Sequence, residues 1–236
     1  MPDINWSKNA VVGVLNSTSG FSQQRQAEES NAGATNTTSS NILSARYLRN
    51  TGRGSPVYSF YRSFMAFDFT GYTTGTMTNL AWHWKGTTTS NGAHNCFLVK
   101  TAAFGSNTNF NNYAVTSWWS SIAMGTRYDN GGLGGFSWPD STAAQSVSLL
   151  SSAITAGQSD GYLQMVLVGS VDYFGLDTGS DQTKNSYGNW SSNNMFLRFT
   201  YADAGYSNTV NSIIPAKINK IDSVATANIS KLNSVD

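Results

Sequence analysis

Three carboxylates fall within one short stretch, Asp172-Tyr-Phe-Gly-Leu-Asp177-Thr-Gly-Ser-Asp181. Oxygen ligands gathered from one loop suit a hard cation, above all Ca2+. The spacing is not that of an EF-hand. Asp172, Asp177 and Asp181 are therefore candidate calcium ligands, set against the plainer reading of a solvated turn. A second chemistry is stacking. Sugar rings lay their C–H faces on exposed aromatic rings, beside amide and carboxylate groups that hydrogen-bond their hydroxyls. Trp118-Trp119 and Gly188-Asn189-Trp190-Ser-Ser-Asn-Asn194 have that character. Trp118, Trp119, Asn189 and Trp190 are the candidate glycan contacts, and burial in a core or interface is the competing reading for each tryptophan.

Catalytic patterns are missing from the sequence. His83 and His94 are its two histidines, and neither has the Asp and Ser company of a triad. Gly131-Gly-Leu-Gly-Gly135 lacks the Lys-Ser/Thr and the helix that a phosphate cradle needs. No carboxylate pair shows the arrangement of a glycoside hydrolase. The expectation is a protein that is not an enzyme, with no cofactor beyond the candidate Ca2+. A polysaccharide-active enzyme, whose carboxylates can lie far apart in the chain, is a third reading.

The C-terminus repeats itself. Ile-Asn-Lys-Ile-Asp-Ser-Val from Ile218 is answered by Ile-Ser-Lys-Leu-Asn-Ser-Val from Ile229. Ile218, Ile221 and Val224, then Ile229, Leu232 and Val235, form two aliphatic triplets that a short segment cannot bury by itself. Exposed, they forgo about 25 cal/mol per Å². These six are the candidate assembly residues, to be covered by a symmetry mate, another protein or the chain's own body. A disordered tail is the plain alternative. An eleven-residue repeat could supercoil as a right-handed helix. Extended segments turning at Asp222-Ser223 and Asn233-Ser234 fit equally well, because Asn, Ser, Val and Thr are poor helix formers.

The elements that must position these residues read as strands. Ser59–Phe69, Thr76–Lys85, Cys96–Ala103, Gly161–Val171 and Asn194–Tyr201 are apolar runs, several of them alternating with period two. Trp82 and Trp84 share the inward face of one. A shorter strand covers Ser146–Leu150, followed by a helical turn to Ala156 that stops at Gly157, or else one amphipathic helix runs from Gln145 to Ala156. Ser22–Ser30 is the one plausible early helix. Many short strands, turn-rich joints and few helices predict an all-β fold, a jelly-roll β-sandwich with an extended C-terminal tail.

Composition narrows the partners. The 236 residues carry 11% charged and 13% aromatic side chains, and a net charge of +1. So small a charge gives no field to attract nucleic acid or an anionic membrane. No run approaches the ~20 apolar residues of a membrane span, and membrane insertion is not expected. The single cysteine, Cys96, is expected as a buried thiol in a chain that folds in a reducing cytoplasm. The opening residues lack the basic start and apolar run of a signal peptide.

The order of elements resembles that of carbohydrate-binding or galactose-binding-like jelly-roll modules found in bacterial surface proteins and phage virions. The resemblance rests on Arg62-Ser-Phe-Met-Ala-Phe67-Asp68-Phe69 followed by Gly75–Trp84. It continues in Phe110-Asn-Asn-Tyr113 before Trp118-Trp119, in Val147–Ile154 and Gly161–Leu167 before Val171-Asp172-Tyr173, and in the closing run Phe196–Tyr201. The tail resembles Val/Ile-x-Lys-Val/Ile-Asn-Gly-Val repeats at the C-termini of tailed-phage structural proteins, with Ser223 and Ser234 where those repeats carry Gly. The resemblances imply a virion surface component, folded in the host cytoplasm. It would be a capsid decoration, head fibre or tail part, with other virion proteins as partners, a homo-oligomer with a trimer favoured, and a host surface glycan as a further ligand. The expected organisation is an N-terminal arm and loop over 1–40, a jelly roll over 41–206 and an assembly tail over 207–236.

Overall fold

The computed structural model describes residues 1–17, 34–37, 43–51, 54–85, 95–101, 126–138, 143–188, 195–204, 220–221 and 224–225. Two antiparallel sheets pack face to face as an all-β jelly-roll sandwich. The first sheet is built from β1 (Asp3–Ser17), β5 (Thr76–Lys85), β8 (Ala144–Ser148) and β11 (Phe196–Ala202), with β11 between the start of β1 and β5. In the second, β2 (Ala34–Thr37) pairs with β1 and β1 with β4 (Val57–Asp68). The far edge of β4 is shared end to end by β3 (Leu43–Asn50) and β9 (Tyr162–Gly169). Outside them lie β10 (Gln182–Gly188) on β3, then β6 (Asn95–Lys100) and β7 (Phe136–Ser137) on β9. From β4 to β5 to β6, and from β8 to β9, the chain hops between sheets, so each sheet is assembled from distant stretches.

Residues 3–17, expected as part of an arm ahead of the body, are its longest strand. Asp3–Asn5 pair with Phe196–Arg198 in the first sheet, and Trp6 to Ser17 pair along β4 in the second. A register shift between Trp6 and Lys8 marks where the strand turns from one sheet to the other; such irregularities bend a strand. The early helix expected over Ser22–Ser30 lies outside the described residues.

Alternation places Met65 and Phe67 of β4, and Phe69 just past its end, in the space between the sheets, with Trp82, Trp84, Met165, Leu197 and Phe199. Trp82 and Trp84 stack at 4.6 Å, walled by Phe136 and Trp138. Both are buried, as their inward spacing predicted, and their indole N–H groups have no partner among the described residues. They serve as packing. Cys96 is buried too.

The opposite face of β4, formed by Phe60, Arg62, Phe64 and Ala66, is equally buried. Phe64 sits across from Val166, and Val166 from Val99. Farther along, Phe97 stacks on Tyr173 of α2 (Ser170–Phe174) at 4.1 Å. β9 stops at Gly169, two residues before the predicted end, and the chain winds into α2.

The helix α1 (Ser151–Asp160) runs past Gly157 and ends at Gly161, whose φ of 73° is the left-handed cap. Gly157 has a different duty. A Cβ there would lie 2.6 Å from the Phe69 ring, so glycine is what lets α1 lie against the core.

Candidate functional site

The three aspartates expected to share a calcium ion are divided among separate partners. Asp172, in α2, is buried. Arg62 donates to both its oxygens, Nε to Oδ2 and the guanidinium NH2 to Oδ1, each at 2.6 Å. Asp177 accepts from the Tyr58 hydroxyl at 2.7 Å, from the Tyr47 hydroxyl at 3.2 Å and from the Gly179 N–H at 3.2 Å. Asp181 accepts from Arg49 at 3.1 Å and from the Thr51 hydroxyl. Among the described residues, no three His, Cys, Asp or Glu side chains come together to hold a metal. Each of the three is held by cations or hydroxyls carried by β3, β4 and Thr51.

Burial pushes the Asp177 carboxyl up, but the hydrogen bonds from Tyr58, Gly179 and Tyr47, with the Arg49 charge, bring it below the ordinary range. Burial raises the Tyr47 phenol to about 12, and the Asp177 charge adds to the rise. The arrangement holds protons tightly on phenols and off carboxylates near neutral pH. That is a clamp tying the loop after α2 to β3 and β4, with no group poised for proton transfer. Sequence reasoning missed Arg62, Tyr47, Tyr58 and Arg49. A signal existed for Arg62: it stands between Phe60 and Phe64 on an alternating strand, where a charge must find a partner.

A groove of about 500 Å³ runs between α1 and the segment around Tyr128. Its walls are polar: Lys100 and Thr126 on one side, Ser152, Thr155, Ser159 and Asp160 of α1 on the other. Tyr128 is 2% exposed. Its main chain is fixed on both sides, its N–H donating to Leu98 and its carbonyl accepting from Leu150. Its phenol is raised to about 12 by burial and by the charge of Asp160. Sequence reading did not mark Tyr128 or the α1 hydroxyls, which look like ordinary surface composition.

Trp118, Trp119, Asn189 and Trp190 lie outside the described residues, as do Ile218, Ile229, Leu232 and Val235. Ile221 and Val224 are paired with each other across β12 (Lys220–Ile221) and β13 (Val224–Ala225), two short antiparallel strands. Within the first repeat the described residues, Lys220–Ile221 and Val224, are extended. Among the described residues no helix is long and apolar enough to cross a membrane. His83 lies at 4.8 Å, ring on ring, over Phe196, and burial lowers its pKa.

No family model matches the chain, and no curated protein matches it.

Proposed function

We propose that the chain is a non-enzymatic structural protein on the surface of a tailed-phage virion, held in the particle through its C-terminal segment. The observation that carries this reading is the β12–β13 hairpin. It belongs to neither sheet of the sandwich, and a two-stranded hairpin is marginal in water without something to pack on. Its sequence is then said again eleven residues later. A duplicated hairpin-forming motif with aliphatic triplets is a repeated plug. The rigid, weakly charged sandwich supports the same reading: a display body whose loops are clamped by internal ion pairs. Deleting 207–236 tests it. The truncated protein is expected to fold and to be lost from purified particles. Normal incorporation would overturn the proposal.

The groove beside α1 favours a second reading, saccharide binding. Hydroxyls, one ammonium and one carboxylate offer the mixture of donors and acceptors that sugar hydroxyls require, and Tyr128 lines the same groove. Saturation-transfer NMR with methyl glycosides of glucose, galactose, mannose and N-acetylglucosamine tests it. Binding lost in Tyr128→Phe and kept in Trp119→Ala and Trp190→Ala supports the groove. Binding lost only in the tryptophan variants moves the site to them, and silence from all four glycosides removes the reading.

A further inference from the structure

The body carries an apolar socket at the end opposite to its tail. Five large hydrophobic side chains are exposed among the described residues: Phe174 at 47% and Leu176 at 67% line one depression, and Leu133 at 94% stands on the turn next to Gly134, which lines it too. Leu133 is held at the tip of a glycine turn closed by Gly135 N–H to Gly132 O. Next to it, Gly134, Phe174 and Leu176 surround an open depression of about 420 Å³, rimmed by Asn95, Ser170 and Asp177. Apolar centre and polar rim are the anatomy of a protein contact.

The register of the strands fixes where tail and socket lie. β11 ends with Ala202 opposite Thr76, and Gly75 lies against Ala202 and Ala204. Gln158, near the end of α1, donates to the carbonyls of Tyr72 and Gly75. The tail therefore leaves where β4 finishes and β9 begins. The socket lies beyond Gly169, at the other end of β9, against the start of β6, where Cys96 pairs with Gly169. Eight residues of strand separate them, roughly 25 Å at 3.3 Å per residue.

We infer that this depression receives the C-terminal repeat of a second copy of the chain, so that copies join head to tail. The inference rests on the reading of the tail as an anchor and names what it grips. The occupant is argued from what each partner lacks. The tail brings aliphatic triplets in its sequence, and the socket has Leu and Phe exposed among the described residues. Each repeat carries one lysine among its aliphatics, Lys220 and Lys231, and the one charged residue lining the socket is Asp177, whose carboxylate stays ionised. The last described residues before the tail, up to Ala204, stand at the opposite end of the body from the socket, so head-to-tail stacking brings the socket of one copy to the tail end of the next. One plug and one socket per copy make a heterologous contact, which closes as a ring or extends as a filament.

The full-length chain tests this by complementation. The wild type is expected to sediment as an oligomer. A socket variant, Leu133→Asp with Leu176→Asp, and a tail variant, Ile221→Asp with Val224→Asp, should each fall to the 25.4 kDa of one chain, with near-UV circular dichroism unchanged. Mixed in equal amounts, they should form a species of twice that mass and stop there, because the intact tail of one fits the intact socket of the other and no second pair remains. A Leu133→Ser, Leu176→Ser pair repeats the socket arm if the aspartates disturb folding. A monomeric wild type, variants of unchanged mass, or a mixture that stays monomeric would each overturn the inference. Its fate is separable from that of the anchoring proposal. If tail deletion abolishes particle incorporation while the socket variants keep full mass, the anchor stands and the socket falls. If the mixture dimerises while tail deletion leaves incorporation normal, the reverse holds.

Discussion

The guanidinium of Arg62 grips both oxygens of Asp172 at 2.6 Å, and that of Arg198 grips Asp3 in the same two-pronged way at 2.7 and 2.8 Å. Only the surroundings differ. The first pair has side chains 1% and 4% exposed, the second 41% and 37%. Both join segments far apart in the chain. The buried pair fastens α2 to the middle of β4, and the exposed one fastens β1 to β11 at the rim. Identical geometry does not mean identical worth. Water already solvates the exposed charges, so their pairing replaces one good environment with another. The buried charges have lost that solvation, and each depends on the other to be tolerable.

The largest expected effect follows from that dependence. Asp172→Ala takes both carboxylate oxygens away from the buried Arg62 guanidinium and is predicted to cost about 3–5 kcal/mol in urea unfolding. The double variant Arg62→Met, Asp172→Leu should recover most of the loss, since removing both charges removes the debt. A double variant no better than the single would show that the pair holds α2 by direction as well as by charge. Next in size is Tyr58→Phe, which takes a hydrogen bond from the partly buried Asp177 and should cost about 1–2 kcal/mol. It should also raise the Asp177 carboxyl, followed by carbon-detected NMR titration. Gly157→Ala is expected in the same range, about 1–3 kcal/mol, through the clash with the Phe69 ring. Asp3→Ala should do less than about a quarter of the damage of Asp172→Ala. A loss as large as the buried one would break the comparison.

The exposed pair has a quieter consequence at His83. Burial lowers the pKa of this ring, the Arg198 charge lowers it further, and Asp3 raises it. A base whose folded pKa lies below its unfolded 6.5 favours the folded state while neutral. Stability is then complete above about pH 6.5 and falls as the pH drops from there toward the lowered value. Asp177 and Asp3, whose carboxyls are lowered from 3.8, add losses at more acid pH, beginning near that value and running below it. NMR titration should place His83 under 6.5 and, in Asp3→Ala, lower still; a rise in that variant would contradict the sign.

What could be read from the sequence follows this division between local and distant causes. Thr76–Lys85 was delimited to the residue, and Trp82 and Trp84 were turned inward, because period-two alternation is written in the strand itself. β10, Gln-Thr-Lys-Asn-Ser-Tyr-Gly, has almost no apolar residue and was missed. Its pairing with β3 makes it a strand, and pairing leaves no local mark. The central place of β1 was hidden for the same reason. At the candidate site, the three aspartates stand out in the sequence, but the side chains they bind do not. Their true partners, Arg62, Tyr58, Tyr47 and Arg49, stand more than a hundred positions away. The hydroxyl groove and the Leu133 socket exist only once β6, β9, α1 and α2 are assembled.

The double membership of β1 has a consequence for how the molecule is made. During synthesis its later residues can zip onto β4 as soon as Asp68 has emerged, but Asp3–Asn5 must wait for Phe196–Arg198, at nearly the far end of the chain. The first sheet stays open along its edge until then, and so long a wait makes closure slow. A ribosome stalled shortly before residue 196 would hold a half-zipped protein with one sheet unclosed, the state most in need of a chaperone.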